Sequence, residues 1–147
     1  MTLLGRLFGS VTKKHAAPRE LKDIGHPIMP ERTDAPMEAV RDVSASEAAE
    51  MVESGRVLVL DVRFEHEYRH HRIPGSKLVP LPALSNQYQE MDPEKPWLVV
   101  CEHGMRSFQA CSFLNSLGFK ELYNMVGGMS VYRGKQEGTG ISIHSNR

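Results

Sequence analysis

The chain has 147 residues, 40% of them hydrophobic and 24% charged, the proportions of an ordinary globular domain. Lys plus Arg and Asp plus Glu number 18 each, so the formal net charge is zero and nucleic acid, which needs a concentrated basic face, is not an expected partner. Apolar runs are only a few residues long and no segment has the apolar core and cleavage site of an export signal, so neither a membrane-spanning helix nor secretion is expected.

Residues 1–15 stand apart. Leu3, Leu4, Leu7, Phe8 and Val11 share one helical face, Arg6, Lys13 and Lys14 carry the charge, and no acid precedes Glu20. Two readings stay open for this segment. It is a frayed tail or a helix packed on a protein surface, or it makes weak contact with an anionic membrane surface or targets an organelle. The cytoplasm is the expected location, with mitochondria as the alternative. Pro18, Pro27, Pro30 and Pro36 then mark an extended connector. Residues 1–36 are therefore read as amphipathic segment plus linker, 37–136 as the folded domain and 137–147 as a flexible tail.

Within the domain, strands and helices alternate. Val40–Val43 is a short strand. Ser44 with Glu47 three residues later forms a capping-box pattern that opens a helix, and Gly55 stops it. Val57–Leu60 is an apolar run of the kind buried on both faces of a sheet. Phe64–His70 reads as a short helix, Pro74-Gly75 as a turn, Lys77–Val79 as a strand and Pro80–Met91 as a loose helical segment. Trp97–Val100 is a second buried strand. Met105–Leu117 has helical apolar spacing and ends at Gly118. Glu121–Met125 is the last strand, and a short helix starts at Met129. The alternation predicts an α/β fold with a mainly parallel sheet covered on both faces.

The chain has two cysteines, Cys101 and Cys111, and their spacing suggests no metal site. Cys101 falls at the carboxyl end of a buried strand, where open parallel sheets bind ligands. The residues after it, Glu102, His103, Gly104, Met105, Arg106 and Ser107, lead straight into a helix. Such a loop can turn its N–H groups inward as an anion-binding nest, and the helix points its positive end at the same place. Arg106 adds a permanent cation and Ser107 a hydroxyl. Helix N-termini and nearby cations favour the thiolate, so the pattern predicts a nucleophilic Cys101 beside an anion cradle. Cys111 lies in the following helix beside its apolar stripe. It is read as structural, with a resolving thiol as the alternative.

Asp61-Val62-Arg63, Glu67-Tyr68, Ile73-Pro74-Gly75-Ser76, Cys101 to Ser107 and Gly127-Gly128 occur in that order. Together they resemble the landmarks of rhodanese domains, over roughly residues 40–134. The resemblance implies a rhodanese-like, mainly parallel five-stranded sheet with helices on both faces and a sulfur-carrying Cys101. It implies a sulfurtransferase that takes sulfane sulfur from a small anionic donor, thiosulfate or a persulfide, and passes it to a thiol- or cyanide-type acceptor or a protein acceptor, with no cofactor. The alternative is a sulfur carrier or partner-binding module without small-molecule turnover. Residues 102–107 are then expected to bind substrate, with Asp61, Arg63 and Glu67 as an ion-pair network beneath the site. Only four residues separate Cys101 from Arg106, one fewer than in cysteine phosphatases, which leaves less room for phosphate. Two departures stand out: His71-Arg72 replaces the family's Gly-His, and Glu102 brings a carboxylate beside Cys101, expected to point outward.

Overall fold

The computed structural model describes residues 36–141, so the expectations for residues 1–35 and 142–147 lie outside the described residues. Five strands make one sheet: β1 (Val40–Val43), β2 (Leu58–Asp61), β3 (Lys77–Leu78), β4 (Pro96–Val100) and β5 (Glu121–Met125). Their order is β1-β5-β4-β2-β3, and every pairing is parallel. The helices are α1 (Ala45–Glu53), α2 (Glu65–His70), α3 (Leu84–Gln87) and α4 (Met105–Ser116). No helix among the described residues is long and apolar enough to cross a membrane.

The local rules explain most of these elements. Ser44 caps α1 reciprocally: its Oγ accepts from the Glu47 N–H at 3.1 Å, and Glu47 Oε2 accepts from the Ser44 N–H at 2.9 Å. In β2 and β4 successive side chains go to opposite faces. Leu60 and Val99 join Leu84, Ala110 and Leu114 on one side. Val59, Leu98 and Val100 join Ala48, Met125 and Met129 on the other. Burying each of the larger side chains stabilises the fold by about 1.5–3 kcal/mol, which is why both central strands read as continuous apolar runs.

Several ends differ from the sequence reading by one residue, and three differences have a clear physical reason. β2 runs one residue further, to Asp61, because Arg63 satisfies that carboxylate inside the sheet. Residues 81–90 form three short turns of helix, since Pro80 and Pro82 break the backbone ladder. Residues 137–141 do not begin a flexible tail. The Thr139 and Gly140 N–H groups donate to the Arg69 and His70 carbonyls at 2.9 and 2.8 Å, satisfying the end of α2. Glu137 and Arg72 exchange backbone bonds as well.

The strand order places the site. From β2 the chain moves outward to β3, and from β4 it moves the other way to β5. The loops after β2 and β4 therefore part company above the sheet's carboxyl edge, the position where such sheets form a crevice. Arg63 and Cys101 lie there. A cleft of about 200 Å³ between Val52, Leu58, Pro74 and Trp97 sits at the opposite, amino end of β2 and β4.

Candidate active site

Cys101 follows β4 directly, and the loop after it is shaped from outside. The carbonyls of Cys101 and Glu102 are taken up by the N–H groups of Met129 and Ser130 at 2.8 and 3.0 Å. Gly128 makes this approach feasible at φ +64°; a Cβ there would collide with both carbonyl oxygens. With its carbonyls drawn toward the Gly127-Gly128 turn, the loop has N–H groups left for the sulfur. The Gly104 N–H donates to Cys101 Sγ at 3.0 Å. Gly104 is also the N-cap of α4, at φ +95°, so the sulfur sits at the helix's positive end. Cys101 itself is 1% exposed, whereas His103 and Met105 are exposed beside it.

Ser107, one turn into α4, is fully buried, and its Oγ lies 3.3 Å from Cys101 Sγ. The same hydroxyl donates to Asn124 Oδ1 at 2.6 Å. Asn124 in turn donates through Nδ2 to Asp42 Oδ1 at 3.0 Å. Asp42 and Asn124 are register partners on β1 and β5.

The charged residues form two separate groups rather than one network. In the first, Arg63 is completely buried; its Nε and Nη2 donate to Asp61 at 2.8–3.1 Å, and Nη2 also donates to the His71 carbonyl at 2.6 Å. Its Nη1 reaches Glu102 Oε2 at 3.2 Å. Burial works against the Arg63 charge, but the bonds and charges of Asp61 and Glu102 outweigh it and hold its pKa above the ordinary value. Glu102 thus engages Arg63, with His71 Nε2 at 3.7 Å. In the second group, Arg106 grips Glu67 bidentately, at 2.9 and 2.7 Å, with its guanidinium 5.8 Å from the Phe64 ring centre. That bond, together with the backbone N–H of Phe64, lowers the Glu67 pKa to about 2 against burial, and Glu67 raises that of Arg106. Glu67, expected beside Asp61 and Arg63, is instead the partner of Arg106, whose charge is largely met.

The family model of the rhodanese-like domain matches residues 44–135. The chain belongs to the rhodanese-like domain family. Over 94 residues it is 30% identical to the thiosulfate sulfurtransferase GlpE of Pseudoalteromonas translucida (strain TAC 125), covering 64% of this chain and 90% of the relative. It is 31% identical over 93 residues to that of Coxiella burnetii (strain RSA 331 / Henzerling II), covering 63% and 87%. A crystal structure of a rhodanese-like domain protein from Staphylococcus aureus superposes with a TM-score of 0.61 at 25% identity, covering 67% of this chain and 98% of that one. The rhodanese-like five-stranded parallel sheet is the one observed here.

In this rhodanese-like domain the structure gathers Cys101, Gly104 and Ser107 around the sulfur and puts Asp61, Arg63 and Glu102 in one adjoining ion-pair group. It leaves His103 and Met105 exposed. His71-Arg72 needs no glycine, because His71 adopts an extended φ of −157°. His71 is half-buried, with Nδ1 bonded to Gln136 Oε1 at 2.9 Å. Sequence reasoning passed over Asn124 and Asp42. A signal existed: Asn124 is a polar residue on the inward register of an otherwise apolar strand end, and a buried amide needs a partner.

Proposed function

We propose that this chain is a rhodanese-type sulfurtransferase that moves sulfane sulfur from thiosulfate or a persulfide to a thiol- or cyanide-type acceptor through a Cys101 persulfide. The observation that carries the reading is the Gly104 amide aimed at Cys101 Sγ from the start of α4. The names of the relatives, thiosulfate sulfurtransferases, support the reaction class.

In the first half-reaction the Cys101 thiolate attacks the outer sulfur of thiosulfate. The S–S bond breaks and sulfite departs with the electron pair, leaving a persulfide on Sγ. In the second half-reaction an acceptor thiolate or cyanide attacks the outer sulfur, and Cys101 leaves as thiolate. The free first-turn amides of α4 and the loop N–H groups supply the positive environment for donor and persulfide. Residues 102–107 bind substrate chiefly through this backbone, since Arg106 is engaged by Glu67. A thiol this enclosed favours a small donor. Asp61, Arg63 and Glu67 support the loop. The carrier or partner-binding reading draws on the exposed apolar side chains near the loop, Phe64, Met105, Phe108, Val126 and Val131.

The test is the mass of the intact protein after thiosulfate treatment. A gain of about 32 Da, one sulfur atom, mapped to Cys101 and reversed by cyanide, is the expected result of covalent catalysis. Cys101→Ser should keep the fold and lose both the adduct and thiosulfate-dependent sulfite release. Full activity in that variant rules the nucleophile out.

A further inference from the structure

We propose that Asn124, fixed by Asp42, is a positioning residue that aims the Ser107 hydroxyl and so sets how readily Cys101 ionises; this rests on reading Cys101 as the nucleophile. The inference follows from the direction of each hydrogen bond. A carboxylate only accepts, so Asn124 must turn Nδ2 toward Asp42 and Oδ1 toward Ser107. Ser107 has one hydroxyl proton, and at 2.6 Å that proton is committed to Asn124. What faces Cys101 Sγ at 3.3 Å is therefore a lone pair of Ser107, able to accept from an S–H and unable to donate to a thiolate.

When the thiol loses its proton to water, Ser107 has two options. It keeps its lone pair against the negative sulfur, or it swings its proton to the sulfur and leaves Asn124 Oδ1 buried without a donor. Both oppose ionisation, whereas the Gly104 amide and the α4 N-terminus favour it. The mismatch is relieved in the persulfide, where the charge moves to the outer sulfur and Sγ is neutral. The relay thus works against the free thiolate and favours the sulfur-loaded state over it.

The other charged groups around the sulfur are already paired or turned away. Arg106 of α4 is bound to Glu67, Asp61 of β2 and Glu102 are bound to Arg63, and His103 is exposed. Cys111 of α4 is buried one helical turn beyond Ser107. Asp42 on β1 is exposed and touches the relay only through Asn124, so it can be changed without opening the core.

The experiment is the pH dependence of iodoacetamide alkylation of Cys101 in the full-length protein, read by peptide mass and needing no sulfur donor. Asp42→Ala frees the Asn124 amide to turn, so Ser107 can donate to the sulfur. The midpoint should fall by about one pH unit, near tenfold more thiolate at a given pH below it. Asn124→Leu should shift it the same way if it folds. Asp42→Asn removes the charge but keeps an acceptor for Asn124, and should shift the midpoint by less than about a third as much. In a Ser107→Ala background, Asp42→Ala should have no effect. An unmoved midpoint in Asp42→Ala, an equal shift in Asp42→Asn, or a shift that survives in Ser107→Ala overturns the relay. Absent thiosulfate turnover with these shifts intact would instead fault the proposed function and leave the relay standing.

Discussion

Cys101 and Cys111 belong to the same stretch of chain and are equally hidden, at 1% and 0% exposure, yet they occupy opposite chemical settings. Cys111 lies in the body of α4, whose amides are already used within the helix, among Leu84, Leu114 and Leu122. Burial, with smaller contributions from the charges of Asp42 and Cys101, pushes its thiol far above the ordinary range. Cys101 lies where β4 has ended and α4 has not yet closed its first bonds, so a backbone N–H is free to meet its sulfur. Enclosure by itself does not distinguish the two thiols. The unpaired amide and the helix N-terminus at Cys101 do.

That contrast can be broken most severely through the turn that shapes the loop. Gly128→Ala sets a Cβ against the Cys101 and Glu102 carbonyls. It should destabilise the fold by about 4 kcal/mol and reduce sulfur transfer by roughly 100-fold or more, in urea melts and steady-state assays. Unchanged turnover would show that the loop does not depend on this turn. Arg63→Met strands the buried Asp61 carboxylate beneath the loop and should cost about 3 kcal/mol. A loss under about 1 kcal/mol in the same melts, well below the usual cost of about 3–5 kcal/mol, would mean that water or rearrangement replaces the guanidinium.

The smaller tests sharpen the comparison. Cys111→Ala should cost about 1 kcal/mol in packing while sulfur transfer and the Cys101 adduct persist; loss of the adduct would make Cys111 part of a sulfur relay. Glu67→Gln should cost about 0.5–1 kcal/mol at neutral pH, because the pair with Arg106 keeps partial contact with solvent, 30% and 20% exposed. The Glu67 pKa is depressed in the folded state. Its contribution is therefore full above about pH 4.5 and is lost as pH falls toward 2. Thermal midpoints of parent and variant should converge over that window. Curves that stay parallel would show that Arg106 does not depress the Glu67 titration.

Much of the site was legible because it is written locally. Cys101, its glycine and the helix after it are consecutive, and the apolar runs at Val57–Leu60 and Trp97–Val100 place them at a strand end. The partition of the ion pairs was not legible. Arg63 and Arg106 each had carboxylates within plausible reach, and only the way the loops after β2 and β4 face each other assigns Asp61 and Glu102 to one and Glu67 to the other, with Arg63–Glu102 and Glu67–Arg106 both crossing between the loops. The packing of residues 137–141 was hidden for a similar reason, as a polar glycine-rich stretch carries no apolar periodicity, and its backbone bonds go to the end of α2.

By itself the amino-acid sequence determined the alternation of strands and helices, the two buried central strands, the capping of α1 and the place of the Cys101–Ser107 loop between β4 and α4, because each depends on residues a few positions apart. The tertiary structure alone decided which carboxylate meets which guanidinium, which carbonyls Gly128 admits, and that Asp42 and Asn124 stand in register behind Ser107. Apart from Asp61 and Arg63, which are two positions apart, those pairings join residues from 17 to 82 positions apart, and the parallel sheet fixes their distance and direction.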